Sequence, residues 1–375
     1  GAGGATLGQR LARAGWSVVL LDAGPFWDPD SDWVSDERGS HRLYWTEPPR
    51  QIGGTDPVPP LGSNNSGRGV GGSMVHYAGY TPPRFHPSDF HTFSSDGGVG
   101  GADWPIDYAD LRPYYEQIEA ELPVAGQDWP WGGDPHSYPH SPHPVSGNGL
   151  IALRGANAMG IDMRVGPVAI PNGRFGNRPH CIYRASVSKL QGQRQGQPTG
   201  HPHSRCPRQR AEVRPDAHVS RILVDDDSGR ATGVEYLHAG VLHRQCAHAV
   251  VIAGYSIETP RLLLLSATSR YPGGLGNDHD HLGSHLMVQG GAPQVAGGRF
   301  SDEIRMYKAP PPEVSTEQFY ETDPSKPYRR GFSIQTVSPL PITWSEHVAA
   351  QGHWGRDLAR VHARLHSLGH AGCPV

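Results

Sequence analysis

The chain opens on GAGGATLGQRLARAGWSVVLLDAGP, and this stretch restricts the fold more than any other. Leu7, Leu11 and Ala14 recur at helical spacing, and Gly15 ends the helix. SVVLL (17–21) is an apolar run of the kind that forms buried parallel strands, with Asp22 at its carboxyl end. Helix, tight turn, strand and acid make up the second half of a βαβ unit. Glycines ahead of such a helix let a diphosphate approach the backbone at the positive helix end. An acid about 20 residues further on is placed to take a ribose hydroxyl. Gly1 aligns with the second glycine of G-x-G-x-x-G and Gly4 with the third, while the first glycine and the strand before it are absent from the sequence. A partial fingerprint alone fits an ordinary glycine-rich turn equally well; the strand and Asp22 favour the nucleotide.

A second glycine cluster, GRGVGGS (67–73), offers backbone N–H groups with no bulky side chain in the way, a further cradle for an anion or a ring edge. ADWPIDYADLRPYYEQIEAEL (102–122) follows. Tyr108, Leu111, Tyr115, Ile118 and Leu122 trace the apolar face of a helix with Asp107 as its N-cap. AVVIAG (249–254) reads as a third buried strand, SIETPRLLLLS (256–266) as a helix, and GGLGNDHDHLGSHLM (273–287) comes after them.

Bulk properties exclude several classes. The net charge of −3 on 375 residues provides no field to recruit nucleic acid or an anionic membrane. No apolar run approaches the roughly 18 residues of a transmembrane helix. Cysteines 181, 206, 246 and 373 form no C-x-x-C pair, so neither a zinc site nor a disulfide framework is expected. Of the 22 histidines, many lie in proline-rich stretches such as DPHSYPHSPHP (134–144), which reads as a surface loop with no metal site.

The glycine-rich start with Asp22, GRGVGGSMVHYAGYTPPRFHPSDF, DWPIDYADLRPYYEQIE and AGYSIETPRLLLLS…GLGN…LGSHLM occur in one order that resembles the glucose–methanol–choline (GMC) family of flavin oxidoreductases. The likeness runs over roughly 1–184 and 211–350 and is greatest to bacterial sugar and gluconate dehydrogenase flavoprotein subunits. It implies an α/β fold: a Rossmann-type FAD-binding domain with a second α+β domain built on an antiparallel sheet. Gly1, Gly3 and Gly4 would then meet the FAD pyrophosphate and Asp22 the adenosine ribose. Gly69, Gly71, Gly72 and Ser73 would line the isoalloxazine side. Val219, in HVSRILVD (218–225), would bracket the adenine, and Ala253 and Gly254 would close over the dinucleotide. His76 is either a pocket histidine or the carrier of a covalent bond to the flavin.

The implied reaction is oxidation of an alcohol, sugar or sugar acid, with a C-terminal histidine as base and electrons passed to an acceptor, which can be a protein partner. No nucleic-acid partner and no transmembrane segment are implied. The family's C-terminal His-Trp segment is not found. His353 in GHWGRD echoes it but comes too early, which leaves the catalytic base unassigned. The chain as written is therefore expected to be truncated at both ends and inactive. Two other readings are a non-catalytic flavin-binding remnant and a nicotinamide dehydrogenase; the latter has no need of the 67–73 cradle.

LQGQRQGQPTGHPHSRCPRQR (190–210) breaks the resemblance. Codons can be written for 191–203 that, read one base later, restore a family-like A-K-x-S-x-x-x-T, and the same shift turns 361–372 into a plausible continuation. Out-of-frame translation of about 185–210 and 361–375 is the expectation, ahead of a low-complexity linker. A basic arm for nucleic acid would need aromatic stacking residues that 190–210 lacks. The expected layout is a discontinuous FAD-binding domain over 1–84 and 211–288 without its first strand, a substrate domain over 85–184 and 289–360 that includes a strand within RGFSIQTVSP (330–339), and an irregular 185–210.

Overall fold

The computed structural model describes residues 1–28, 31–32, 66–77, 79–95, 97–98, 101–175, 211–286, 294–301, 303–304, 313–328, 330–336, 341–363 and 368–373. In chain order the elements are α1 (Ala2–Arg13), β1 (Val18–Leu21), a 3-10 turn (Gly72–Val75), α2 (Pro87–Phe90), α3 (Thr92–Ser95), α4 (Tyr108–Glu121), α5 (Gly147–Ala158), β2 (Arg164–Val165), β3 (Ala211–Arg214), β4 (His218–Val224), β5 (Ala231–His238), β6 (Val241–Cys246), α6 (Tyr255–Leu265), β7 (Gln294–Arg299), β8 (Val314–Thr316), β9 (Ile334–Thr336), α7 (Pro341–Ala350), α8 (Gly355–His362) and β10 (Leu368–Cys373). The described residues fall into two compact units, those within 1–32, 40–76 and 197–288 and those within 77–196 and 289–375.

In the first unit the opening of the chain folds as its pattern dictates. Gly15, at φ +92°, ends α1 in the left-handed conformation that only glycine adopts without penalty. α1 then packs on β1 so closely that a Cβ at Gly8 would lie 3.0 Å from Leu20 Cδ2. β1 pairs in parallel with β3, Val18 opposite Ala211 through Leu21 opposite Arg214. β4, β5 and β6 form an antiparallel meander. Ala239 and Gly240, both at positive φ, make the two-residue turn between β5 and β6, the turn whose twist matches a hairpin. Ser266 is fully buried and ties α6 to β4: its Oγ accepts from Ile222 N at 2.9 Å and donates to Leu262 O at 2.6 Å.

One expectation fails here. AVVIAG (249–254) is neither a strand nor buried, and Val251 is 58% exposed. Apolar composition marks a segment that can enter a sheet, but a strand needs a neighbour for its ladder. Among the described residues no strand pairs with 249–254.

In the second unit five antiparallel strands lie in the order β2-β8-β9-β10-β7. The strand expected within 330–339 appears as β9, and 337–339 lie outside the described residues. α4 starts where the sequence places it. Asp107 Oδ1 accepts from Asp110 N, and the Asp110 carboxylate accepts from Asp107 N in return. Its apolar face turns inward as expected, and Glu119 is buried with it. A core of Val124, Trp129, Tyr138 and Ala169 is flanked by Leu122 and Trp131.

The His-rich 134–144 stretch is irregular, as expected, but it is only half at the surface. Tyr138 and His143 are buried, His143 Nε2 lies 2.7 Å from Ile170 O, and Trp129 pairs with His136 and Ala125 with His140. Its prolines hold the chain extended, so alternate side chains turn inward without helical or ladder periodicity. The 185–210 segment lies outside the described residues. Of the tail, β10 pairs with β7 and β9. No helix among the described residues is long and apolar enough to cross a membrane.

Candidate functional site

Four short segments of the first unit meet near the N-terminus of α1, and glycine lets them meet. Gly72, at φ +57°, would carry a Cβ 3.2 Å from Gly1 Cα. Gly4 faces Ala253, their Cβ positions 3.0 Å apart. A Cβ on Gly24, just beyond β1, would lie 2.6 Å from the backbone carbon of Arg68 and 2.7 Å from Gly69 N. A Cβ on Gly69, at φ +153°, would lie 2.2 Å from Trp27 Nε1. Hydrogen bonds fix the same contacts: Val70 N donates to Pro25 O at 2.9 Å, Arg68 Nε to Ala23 O at 2.8 Å, and Gly67 N to Ser73 Oγ at 3.0 Å.

The structure thus brings Gly1, Gly4, Gly69, Gly71, Gly72, Ser73 and Ala253 to one place, with Gly254 as the N-cap residue of α6. Gly71 turns the chain at φ +109° into the 3-10 turn. Gly3 differs from its neighbours: a Cβ there would meet no atom of the described residues within 4 Å, so among them this side of the helix end is open. Gly1 supplies no side-chain cap and the first turn of α1 holds no acid, which leaves its amide groups for another acceptor.

Asp22 stands at the end of β1, its Oδ1 accepting from Gly24 N at 3.1 Å. Burial pushes its carboxyl upward, opposed by that hydrogen bond and by the nearby Arg68 charge. His76 closes the 3-10 turn, and its Cδ2 would be 3.1 Å from a Cβ on Gly67. Burial lowers its pKa, which favours the neutral imidazole. Val219 lies in β4 opposite Tyr236, one residue before a register shift. Burial, with the charges of Arg261 and Arg68 added to it, lowers the pKa of the adjoining His218.

His353 lies in the second unit on the turn between α7 and α8. It is part-exposed, with Nδ1 bonded to the Asp357 carboxylate one turn along. Sequence reasoning missed Gly24, Ser66 and Tyr255. Gly24 was legible as a glycine two residues after the acid. Nothing in the sequence links Ser66 to Tyr255, yet their hydroxyls are 2.8 Å apart.

These features suit a dinucleotide: backbone meets backbone where side chains would clash, one face of a helix end is open, and an acid stands at the strand end. A family model for GMC oxidoreductases matches residues 63–289. The chain is 30% identical to 2-methyl-1,2-propanediol dehydrogenase of Mycolicibacterium austroafricanum, over 95% of this chain and 66% of that protein. It is 26% identical to the fructose dehydrogenase large subunit of Gluconobacter japonicus, over 79% of this chain and 59% of that one. It therefore spans less than two thirds of the length of these relatives. An Aspergillus oryzae formate oxidase variant, solved in a study of FAD modification, shares the fold at a TM-score of 0.56 and 14% identity, over 100% of this chain and 70% of that one. The match over 63–289 covers most of the chain, and with it the glycine turns, β4 and α6; the chain belongs to the GMC oxidoreductase family, flavoproteins with an α/β FAD-binding fold.

Proposed function

We propose that the first unit binds FAD and that the protein oxidises the CH–OH group of a sugar, sugar acid or other polyol, passing the electrons to an acceptor. The observation that carries this reading is the close backbone approach of residues 1–4, 22–24, 67–73 and 253–254 around an open helix end. The amides of Gly1, Gly3 and Gly4 hold the pyrophosphate, where the helix end favours negative charge. Asp22 accepts from the adenosine ribose hydroxyls. Gly69, Gly71, Gly72 and Ser73 flank the isoalloxazine, Val219 borders the adenine, and Ala253 and Gly254 close the far side. When bound, FAD supplies an acceptor for the hydride that leaves the alcohol carbon. In this reading 1–84 and 211–288 hold the cofactor and 85–184 and 289–360 face the substrate.

The experiment is a FAD titration of residues 1–375 followed by flavin fluorescence, with Asp22→Ala in parallel. Tight binding that weakens roughly tenfold or more in Asp22→Ala, the scale of a hydrogen bond to a charged group, supports the site. A wild-type chain that takes no flavin, or an Asp22→Ala variant that binds equally well, refutes it. Denaturing the loaded protein decides the role of His76, since flavin that stays on the polypeptide is covalently held. A panel of sugars and polyols with a dye acceptor tests the reaction.

A further inference from the structure

Tyr255 is out of character for its position. It is the first residue of α6, immediately after Gly254, and it sits at φ +54°. That region suits glycine, and a bulky aromatic there is strained. The backbone remains there with the side chain part-exposed at 42%. The tyrosine hydroxyl accepts from Ser66 Oγ at 2.8 Å, and Ser66 is itself 9% exposed. Ser66 immediately precedes Gly67, whose position permits only a hydrogen: a Cβ there would lie 2.8 Å from Gly72 O. The phenol therefore spans from the N-terminus of α6 to the start of the second glycine turn, and these are two of the segments that surround the open end of α1.

We infer that Tyr255 is a positioning residue: its bond to Ser66 latches the 67–73 turn to the 253–255 turn, and its ring walls the FAD cradle between them. This rests on the FAD reading above for the ligand, but the latch belongs to the chain itself. The bond offsets the strain at Tyr255. Without it, the contact between the two turns loosens at this point, and the spacing between them widens. Sequence separation hides the device, because 189 positions lie between the two hydroxyls.

The test uses Tyr255→Phe, Ser66→Ala, the double variant and Tyr255→Gly in the full chain. Each is measured by FAD titration and, without flavin, by hydrogen exchange of peptides covering 66–73 and 253–258. Tyr255→Phe and Ser66→Ala are each expected to weaken FAD binding roughly five- to tenfold, the effect of one hydrogen bond. The double variant should be no worse than either single one, as two ends of one bond require. Exchange in both peptides should quicken in all four variants. Tyr255→Gly relieves the positive φ, so it should melt no lower than wild type while binding FAD more weakly, a separation that a merely structural tyrosine would not give. Additive losses, unchanged exchange, or a Tyr255→Phe variant that binds as wild type would overturn the latch. A wild-type chain that takes no FAD would sink the function reading, while the exchange data would still decide the latch.

Discussion

Arg84 grips Glu119 with two prongs, Nε to Oε1 at 2.9 Å and Nη2 to Oε2 at 2.7 Å, and both side chains are less than a tenth exposed. Arg84 Nη1 also donates to Tyr108 Oη at 3.4 Å, and its guanidinium lies 5.9 Å from the Tyr115 ring centre. The pair joins the segment ahead of α2 to the buried face of α4. Both charges have given up water, so each depends on the other. Glu119→Gln or Arg84→Met alone is expected to cost about 3–5 kcal/mol of stability, because the remaining charge stays buried. Arg84→Met combined with Glu119→Leu should recover most of that loss. Urea unfolding of the three variants checks this, and a double variant as unstable as the sum of the singles would contradict it.

His86 makes a second prediction, about pH. Its Nδ1 lies 2.7 Å from Glu321 Oε1 and its Nε2 3.2 Å from Glu317 Oε2, while its ring lies tilted over Tyr320, the centroids 4.1 Å apart. Asp89 accepts from the Tyr320 hydroxyl at 2.9 Å and from the His86 backbone N–H at 2.7 Å; Ser88 donates to Glu321, and Trp129 Nε1 to Glu317. Burial on its own would lower the imidazole pKa, but the hydrogen bonds and charges of Glu317 and Glu321 outweigh it and raise it. A raised folded-state pKa contributes stability that is fully present below the ordinary histidine value near 6.5 and is lost as pH rises through the folded value. His86→Gln should therefore lower Tm most at about pH 6, with the gap to wild type narrowing towards alkaline pH. A gap that widens with pH would mean the ring is held neutral.

The parts legible in the sequence were those governed by local rules. Asp107 before an apolar 3.6-residue repeat gives a capped helix, and an apolar run ending at Asp22 gives β1. The glycines at 69, 71 and 72 announce a turn that no other residue could make, whatever binds there. The parts that stayed hidden depend on partners distant in sequence. Glu313 is buried beneath the start of α5 and accepts from Ser146 N, Ser146 Oγ and Gly149 N, and it is more than 160 positions from them. Nothing about Glu313 in isolation distinguishes it from a surface acid. AVVIAG misled for the opposite reason: composition permitted a strand, but the ladder partner is not among the described residues. In the His-rich stretch, proline spacing produced an inward and outward alternation that reads as neither helix nor sheet.

Gly3 and Gly24 give the last prediction, because they separate what glycine does for the fold from what it does for a ligand. At Gly24 an added methyl would collide with backbone atoms of Arg68 and Gly69 at 2.6 and 2.7 Å, and backbone cannot swing aside as a flexible side chain can. Gly24→Ala must therefore push the 67–73 turn away from the end of β1. It is expected to lose both stability, by about 1–3 kcal/mol as overpacking costs elsewhere, and FAD affinity. At Gly3 the same methyl meets no atom of the described residues within 4 Å. There alanine replaces the least rigid residue in the second position of a helix, and Gly3→Ala should hold or gain stability, by up to about 1 kcal/mol. If the open space beside Gly3 receives the pyrophosphate, the methyl intrudes on it, and FAD affinity falls while Tm does not. Thermal melts of both variants without flavin, paired with FAD titrations, read the two effects separately. A Gly3→Ala variant that binds FAD as well as wild type would place the pyrophosphate elsewhere on the cradle.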